Sequence, residues 1–141
     1  MKSTRTGTRR GSNAVEFALL LPVFTVLLGA VLDYGYYFYI NQAVNVAVRN
    51  GVRMAVADKT LLTEAARTAK ASDHAESSLA EYNISCTSLC TFTGSRDLTI
   101  SYASDTFTAY RLQLRRPYAP MIGMVPVPTT NGASYTMRVE N

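Results

Sequence analysis

Between Ala14 and Leu32 the chain runs almost without polar side chains, and Glu16 is the single charge in that stretch. At about 1.5 Å per helical residue these positions reach roughly 28 Å, enough to cross the hydrocarbon core of a bilayer. The pattern predicts a membrane-spanning helix over 14–32 with a carboxylate near its start. Such a group costs about 2 to 3 kcal/mol in lipid even on lenient insertion scales, so Glu16 needs a functional reason to be there. Pro22 falls inside the run, removes one backbone donor and predicts a kink. Tyr34, Tyr36, Tyr37 and Tyr39, with Phe38, follow where the helix would leave the hydrocarbon, the depth that favours rings with a polar tip.

From Ile40 the pattern turns amphipathic. Ile40, Val44, Ala47, Val48, Gly51, Val52, Ala55 and Val56 fall on one face, and Asn41, Gln42, Asn45, Arg49, Asn50 and Arg53 on the other. One helix over about 13–57 follows, roughly 68 Å long if unbroken. Its outer half carries a narrow stripe of small side chains suited to close packing on a sheet.

Asp58 to Thr60 reads as a turn and cap before a second helix over about 61–82, with a break near Ala71-Ser72-Asp73. Beyond it short alternating runs predict strands: 98–102, 109–114 and 135–139, with a fourth over 84–93. Gly94-Ser95-Arg96-Asp97 and Ser104-Asp105 read as turns between them. Four of the five prolines lie between Arg116 and Pro128, which excludes a central strand and predicts a long loop. Met121, Ile122, Met124 and Val125 make that loop apolar enough to bury, on the domain's own core or on a partner. The fold class is α+β: a long N-terminal transmembrane and amphipathic helix, a second helix, and a small antiparallel sheet of three to four strands.

Charge changes the picture only at the N-terminus. The net charge is +4, and residues 1–11 hold Lys2, Arg5, Arg9 and Arg10 with no acid, so the remainder is balanced. That local excess keeps the start of the chain cytoplasmic and sends the C-terminal part outward. It does not make a nucleic-acid surface, because four charges without aromatic interleaving are too few. A secretory signal peptide is disfavoured by the length of the apolar run and by the Tyr cluster, which replaces a small-residue cleavage site. Residues 1–11 lack apolar side chains after Met1 and predict a disordered leader. The two cysteines, Cys86 and Cys90, predict a disulfide in an outward-facing domain. In a strand they would be about 13 Å apart, beyond the roughly 4.4 to 6.8 Å that a bridge allows, so the residues between them must turn. No metal site is expected from two thiols and the single histidine, His74, and no cofactor or catalytic constellation is apparent.

Several of these residues together resemble a known family. Arg10-Gly11, then Ala14-Val15-Glu16-Phe17-Ala18-Leu19, Leu21-Pro22, Gly29, Asp33 with Gly35, and Ala47 to Arg53 are similar to the TadE-like proteins, minor pilins or pseudopilins of the tight-adherence (Flp) pilus. Asp33 stands where relatives more often carry Glu, and Tyr36 where they often carry a basic residue. The likeness covers about residues 9–57 and weakly the closing strand near 134–140; 58–106 carries no family motif.

The resemblance implies a pilin-like shape and a type IV prepilin signal. Its residues would be Arg10, Gly11, Ser12, Glu16 and Phe17, with a prepilin peptidase cutting between Gly11 and Ser12. The new Ser12 ammonium would then lie one helical turn from Glu16, on its own helix or on a neighbour's. The expected divisions are a cleavable leader (1–11), the long helix (12–57) and an outward α+β domain (58–141). The implied role is non-enzymatic, in assembly, initiation or the tip of a pilus used for surface attachment. The partners implied are the peptidase, other pilin and minor pilin subunits, the inner-membrane assembly platform and the bilayer, with the C-terminal domain periplasmic or extracellular. The competing expectation is an uncut, single-pass anchored scaffold or binding domain of the envelope.

Overall fold

The computed structural model describes residues 9–60, 63–86, 89–102 and 105–139. Its elements are α1 (Arg9–Ala57), α2 (Glu64–Glu81), β1 (Thr91–Tyr102), β2 (Asp105–Pro117) and β3 (Thr130–Arg138). The class is α+β, with one antiparallel sheet in the order β1-β2-β3.

Helix α1 runs 49 residues without interruption, through Pro22. It begins at Arg9, so the disorder expected of residues 1–11 does not hold for 9–11; residues 1–8 lie outside the described residues. A helix once nucleated extends by one hydrogen bond per added residue, which carries α1 into this polar segment. Every residue of the predicted stripe, from Ile40 to Val56, is buried. Glycine is required in the middle of it. A Cβ on Gly51 would lie 2.3 Å from the Ala71 carbonyl oxygen and 3.2 Å from the Ala75 Cβ, so α2 crosses α1 at closer range than any side chain would allow.

The second helix opens at Glu64, positions 61 and 62 of its predicted start lying outside the described residues, and it is unbroken. Asp58 and Thr60 do form a turn, in which the Thr60 backbone N–H (3.0 Å) and hydroxyl (2.6 Å) both donate to Asp58 Oδ1. The cap is Thr63 instead, whose hydroxyl accepts the Ala66 N–H at 3.2 Å. No break occurs at Ala71-Ser72-Asp73, because Ser72 donates back to the Ala69 carbonyl and stays inside the helix. The helix closes with Asn83 in the left-handed region (φ 59°), its N–H on the Ala80 carbonyl and that of Ile84 on the Leu79 carbonyl. This is a Schellman ending with asparagine in the place glycine usually takes.

In the sheet, β2 alternates cleanly: Tyr110, Leu112 and Leu114 are buried against α1 and α2, while Arg111 and Arg115 face out. Among the described residues there are three strands, within the three to four expected. Thr91–Thr93, expected in a separate strand, opens β1, which continues through the expected turn at Gly94–Asp97. A register shift between Ser95 and Leu98 absorbs one extra residue as a bulge, Arg96 and Asp97 standing opposite Tyr110 alone. Of the second expected turn, Ser104 lies outside the described residues and Asp105 is the first residue of β2. β3 starts at Thr130, ahead of the predicted 135.

Candidate functional site

Two regions of α1 carry the chemistry. The first is its N-terminal part. From Asn13 to Leu28 every residue is exposed, including Val15, Phe17, Leu19, Phe24 and Leu27. Among the described residues one helix, Asn13–Ala57, is long and apolar enough to cross a membrane, and only 6 % of its most apolar window is buried. The core helix of a water-soluble protein would be covered on one side at least; this one is bare all round, the condition of a candidate membrane anchor. Gly11 and Ser12 lie within the helical backbone, as does Arg10. Glu16 and Phe17 follow on its exposed part. Pro22 stands inside the same helix, and one turn on the Thr25 hydroxyl donates to the Leu21 carbonyl at 2.9 Å.

The second region is at the outer end of the apolar run, and the sequence did not mark it as a site. Asp33 is fully buried. Its carboxylate accepts two successive backbone N–H groups from the proline-rich loop, Ile122 on Oδ1 at 2.8 Å and Gly123 on Oδ2 at 2.9 Å. Gly123 has φ +74°, a left-handed backbone that glycine adopts without strain, and its N–H and that of Ile122 converge on the carboxylate as an anion-binding pair. The Tyr118 hydroxyl donates to the Asp33 carbonyl (3.0 Å) and the Tyr34 hydroxyl to the Pro126 carbonyl (2.9 Å). The loop base is closed by the Tyr118 N–H on the Thr129 carbonyl. Burial, and then the Asp33 carboxylate beside it, push the Tyr118 phenol above its ordinary range.

The proline-rich loop is therefore fastened to α1 from residues 29 to 37. Tyr118 packs edge-on against Tyr37 (5.3 Å between centroids) and tilted against Tyr36 (6.0 Å). Met124 covers Gly29, with its sulfur 3.2 Å from where a Cβ would stand. The domain's own core does not bury the loop's apolar residues: Met121, Ile122 and Met124 remain 68 %, 44 % and 54 % exposed, and Val125 is half-buried. A signal for Asp33 does exist in the sequence. It is the first charge after Glu16, placed at the end of an otherwise uncharged run, where a carboxylate demands a partner.

Elsewhere two cationic side chains make contacts that join elements of the fold. Arg67, buried in α2, donates to the Ala55 carbonyl at 2.9 Å and so supplies a cation to the last turn of α1, which has no basic residue of its own. Arg49, on the polar face of α1, lies 5.7 Å from the centre of the Tyr135 ring. Cys86 and Cys90 are joined by a disulfide with Cα atoms 5.1 Å apart, and the Leu89 and Cys90 N–H groups both reach the Cys86 carbonyl. Among the described residues no group of three or more His, Cys, Asp or Glu side chains is placed to hold a metal. A hollow on the sheet between Gln113 and Ser134 has Arg115 as its one ionisable lining residue.

Residues 11–53 match the family described as TadE-like protein. Over this segment the chain is TadE-like. The matched stretch contains Glu16, the whole bare part of α1, Asp33 and most of the buried stripe. The α2 and sheet regions lie outside the match. No curated protein and no solved structure matches the chain.

Proposed function

We propose that the protein is a minor pilin or pseudopilin of a Tad (Flp) pilus, non-catalytic, cut between Gly11 and Ser12 by a prepilin peptidase and stored in the inner membrane with its α2 and sheet domain outward. The observation that carries this reading is the bare TadE-like half of α1, projecting from a packed domain with Glu16 as its one charge between Asn13 and Leu32. Other pilin subunits and the assembly platform are the partners that such a helix fits, since sister helices can cover it when lipid no longer does. In that setting Glu16 has a physical task. A carboxylate unpaired in apolar surroundings is costly, and the Ser12 ammonium of an adjacent subunit would neutralise it only in the right axial register. Incorporation at the base or tip of the pilus, and its use in attachment, follow from the same reading.

Intact mass and N-terminal sequencing of the protein from its native membrane, with and without the peptidase, test the reading. A chain starting at Ser12 only with the peptidase present supports it. Glu16→Gln should then still be cut but fail to enter pili; incorporation at the wild-type level would defeat the role given to Glu16. One observation favours a second reading, an uncut envelope scaffold or binding domain. The helix already encloses Gly11 and Ser12, and a peptidase needs that turn opened. An N-terminus that keeps the leader in both strains would establish it.

A further inference from the structure

The uncharged loop fastened to Asp33 has a height in the molecule that can be read directly. Gly29 lies three residues below Leu32, roughly 4.5 Å inside the end of the apolar run. Met124 covers Gly29, and Asp33 holds the Ile122 and Gly123 amides one turn higher. The loop tip therefore sits level with the outer end of the membrane-spanning segment, in the same layer as Tyr34, Tyr36 and Tyr37.

Its chemistry suits that layer. From Pro117 to Met137 there is no Asp, Glu, Lys or Arg. Met121, Ile122 and Met124 are about half exposed or more, Met124 while also lying against Gly29 of α1. At the same level of α1, Leu28, Val31 and Leu32 are exposed as well. The one charge at this level, Asp33, is buried and satisfied by the loop's own backbone, which removes from the surface the group that would oppose entry into lipid.

We propose that the loop tip is a second membrane contact, seated in the outer headgroup region beside α1 with Met121, Ile122 and Met124 in lipid. The occupant is the bilayer, not a second copy of the chain, because Met124 lies on Gly29, inside the apolar run of α1 that lipid must cover. This rests on α1 spanning a bilayer, and the experiment separates the two.

The chain has no tryptophan, so single substitutions give clean depth probes. Met121→Trp places an indole at the loop tip, Phe24→Trp one within the span, and Thr93→Trp one on the exposed face of β1. Each full-length protein is reconstituted into phosphatidylcholine and phosphatidylglycerol vesicles, some with phosphatidylcholine brominated on the acyl chain near the headgroup, others near the terminal methyl. For the loop, headgroup-proximal bromine should remove roughly half of the emission and chain-terminal bromine much less, as for a ring at the interface. The probe at 24 should be quenched by the deeper bromine, and that at 93 by neither. Quenching at 24 with none at 121 overturns the loop contact and leaves the span intact; if 121 is then shielded from water, a second copy covers it. No quenching at 24 overturns both.

Discussion

The crossing of α1 and α2 at Gly51 allows opposing effects to be weighed. Gly51→Ala adds one methyl to a helix interior, where alanine gains about 0.8 to 1 kcal/mol over glycine from backbone propensity alone. Against it stands the Ala71 carbonyl, 2.3 Å from the new Cβ. An ordinary contact needs about 1 Å more, so α2 must move off α1 along the seam that buries Val48, Val52, Ala71 and Ala75. The movement is opposed by Arg67 on the Ala55 carbonyl and by the Tyr110 hydroxyl on Thr68 at 3.0 Å. Overpacking of this kind costs about 1 to 3 kcal/mol, and more against backbone than against a yielding side chain. The steric term wins, with a net loss of about 1 to 2 kcal/mol. Gly35→Ala is the matched control, because nothing lies within 4 Å of a Cβ there and only the propensity gain remains. Thermal unfolding of the full chain in detergent, followed by the near-ultraviolet tyrosine signal, should fall by roughly 4 to 15 °C for Gly51→Ala and hold or rise for Gly35→Ala. A Gly51→Ala protein melting at or above wild type would refute the close crossing.

Three further outcomes follow from other contacts. Asp33→Ala removes the acceptor for two loop amides, and hydrogen exchange at Ile122 and Gly123 should accelerate about 10- to 100-fold, with Asp33→Asn between the two; unchanged protection would mean the loop is held by its base alone. Arg67→Met keeps the side chain's length but orphans the Ala55 carbonyl, for a loss of about 1 to 2 kcal/mol in the same melting assay, and an unshifted midpoint would remove Arg67 from the account of how α1 ends. The Lys70 ammonium, with help from Thr60, holds the Asp58 carboxyl well below the usual carboxylate range. A depressed folded value means that the stabilisation is complete above the unfolded value, about 4, and is lost as pH falls below it. Denaturant midpoints measured from about pH 7 to about pH 3 should decline less steeply in Lys70→Met than in wild type, and parallel slopes would contradict the pairing.

The long helix was legible because its evidence is periodic. Ile40 through Val56 repeat at helical spacing over several turns, and each is where the spacing puts it. The second helix was misplaced at its start because Asp58 and Thr60 look like a cap, and they do satisfy one another locally; only the observed bond to Ala66 distinguishes Thr63. The bulge in β1 was hidden for a related reason. Gly94-Ser95-Arg96-Asp97 is turn chemistry, and only pairing with β2 shows that the strand continues through it. The Asp33 contact was beyond local reading altogether. Its partners stand about ninety positions along the chain, and no periodicity encodes that Ile122 and Gly123 will present their amides to it.

The unbroken passage of α1 from the membrane segment into the outer core has a mechanical consequence. No linker stands between Leu32 and Ile40 to take up torsion, and the loop braces the domain against the same rod at a second height. Turning or lifting the rod in the bilayer therefore turns or lifts the sheet with it, by equal angle and equal distance. The subunit behaves as a key cut from one piece, in which motion applied at the shaft arrives undiminished at the bit.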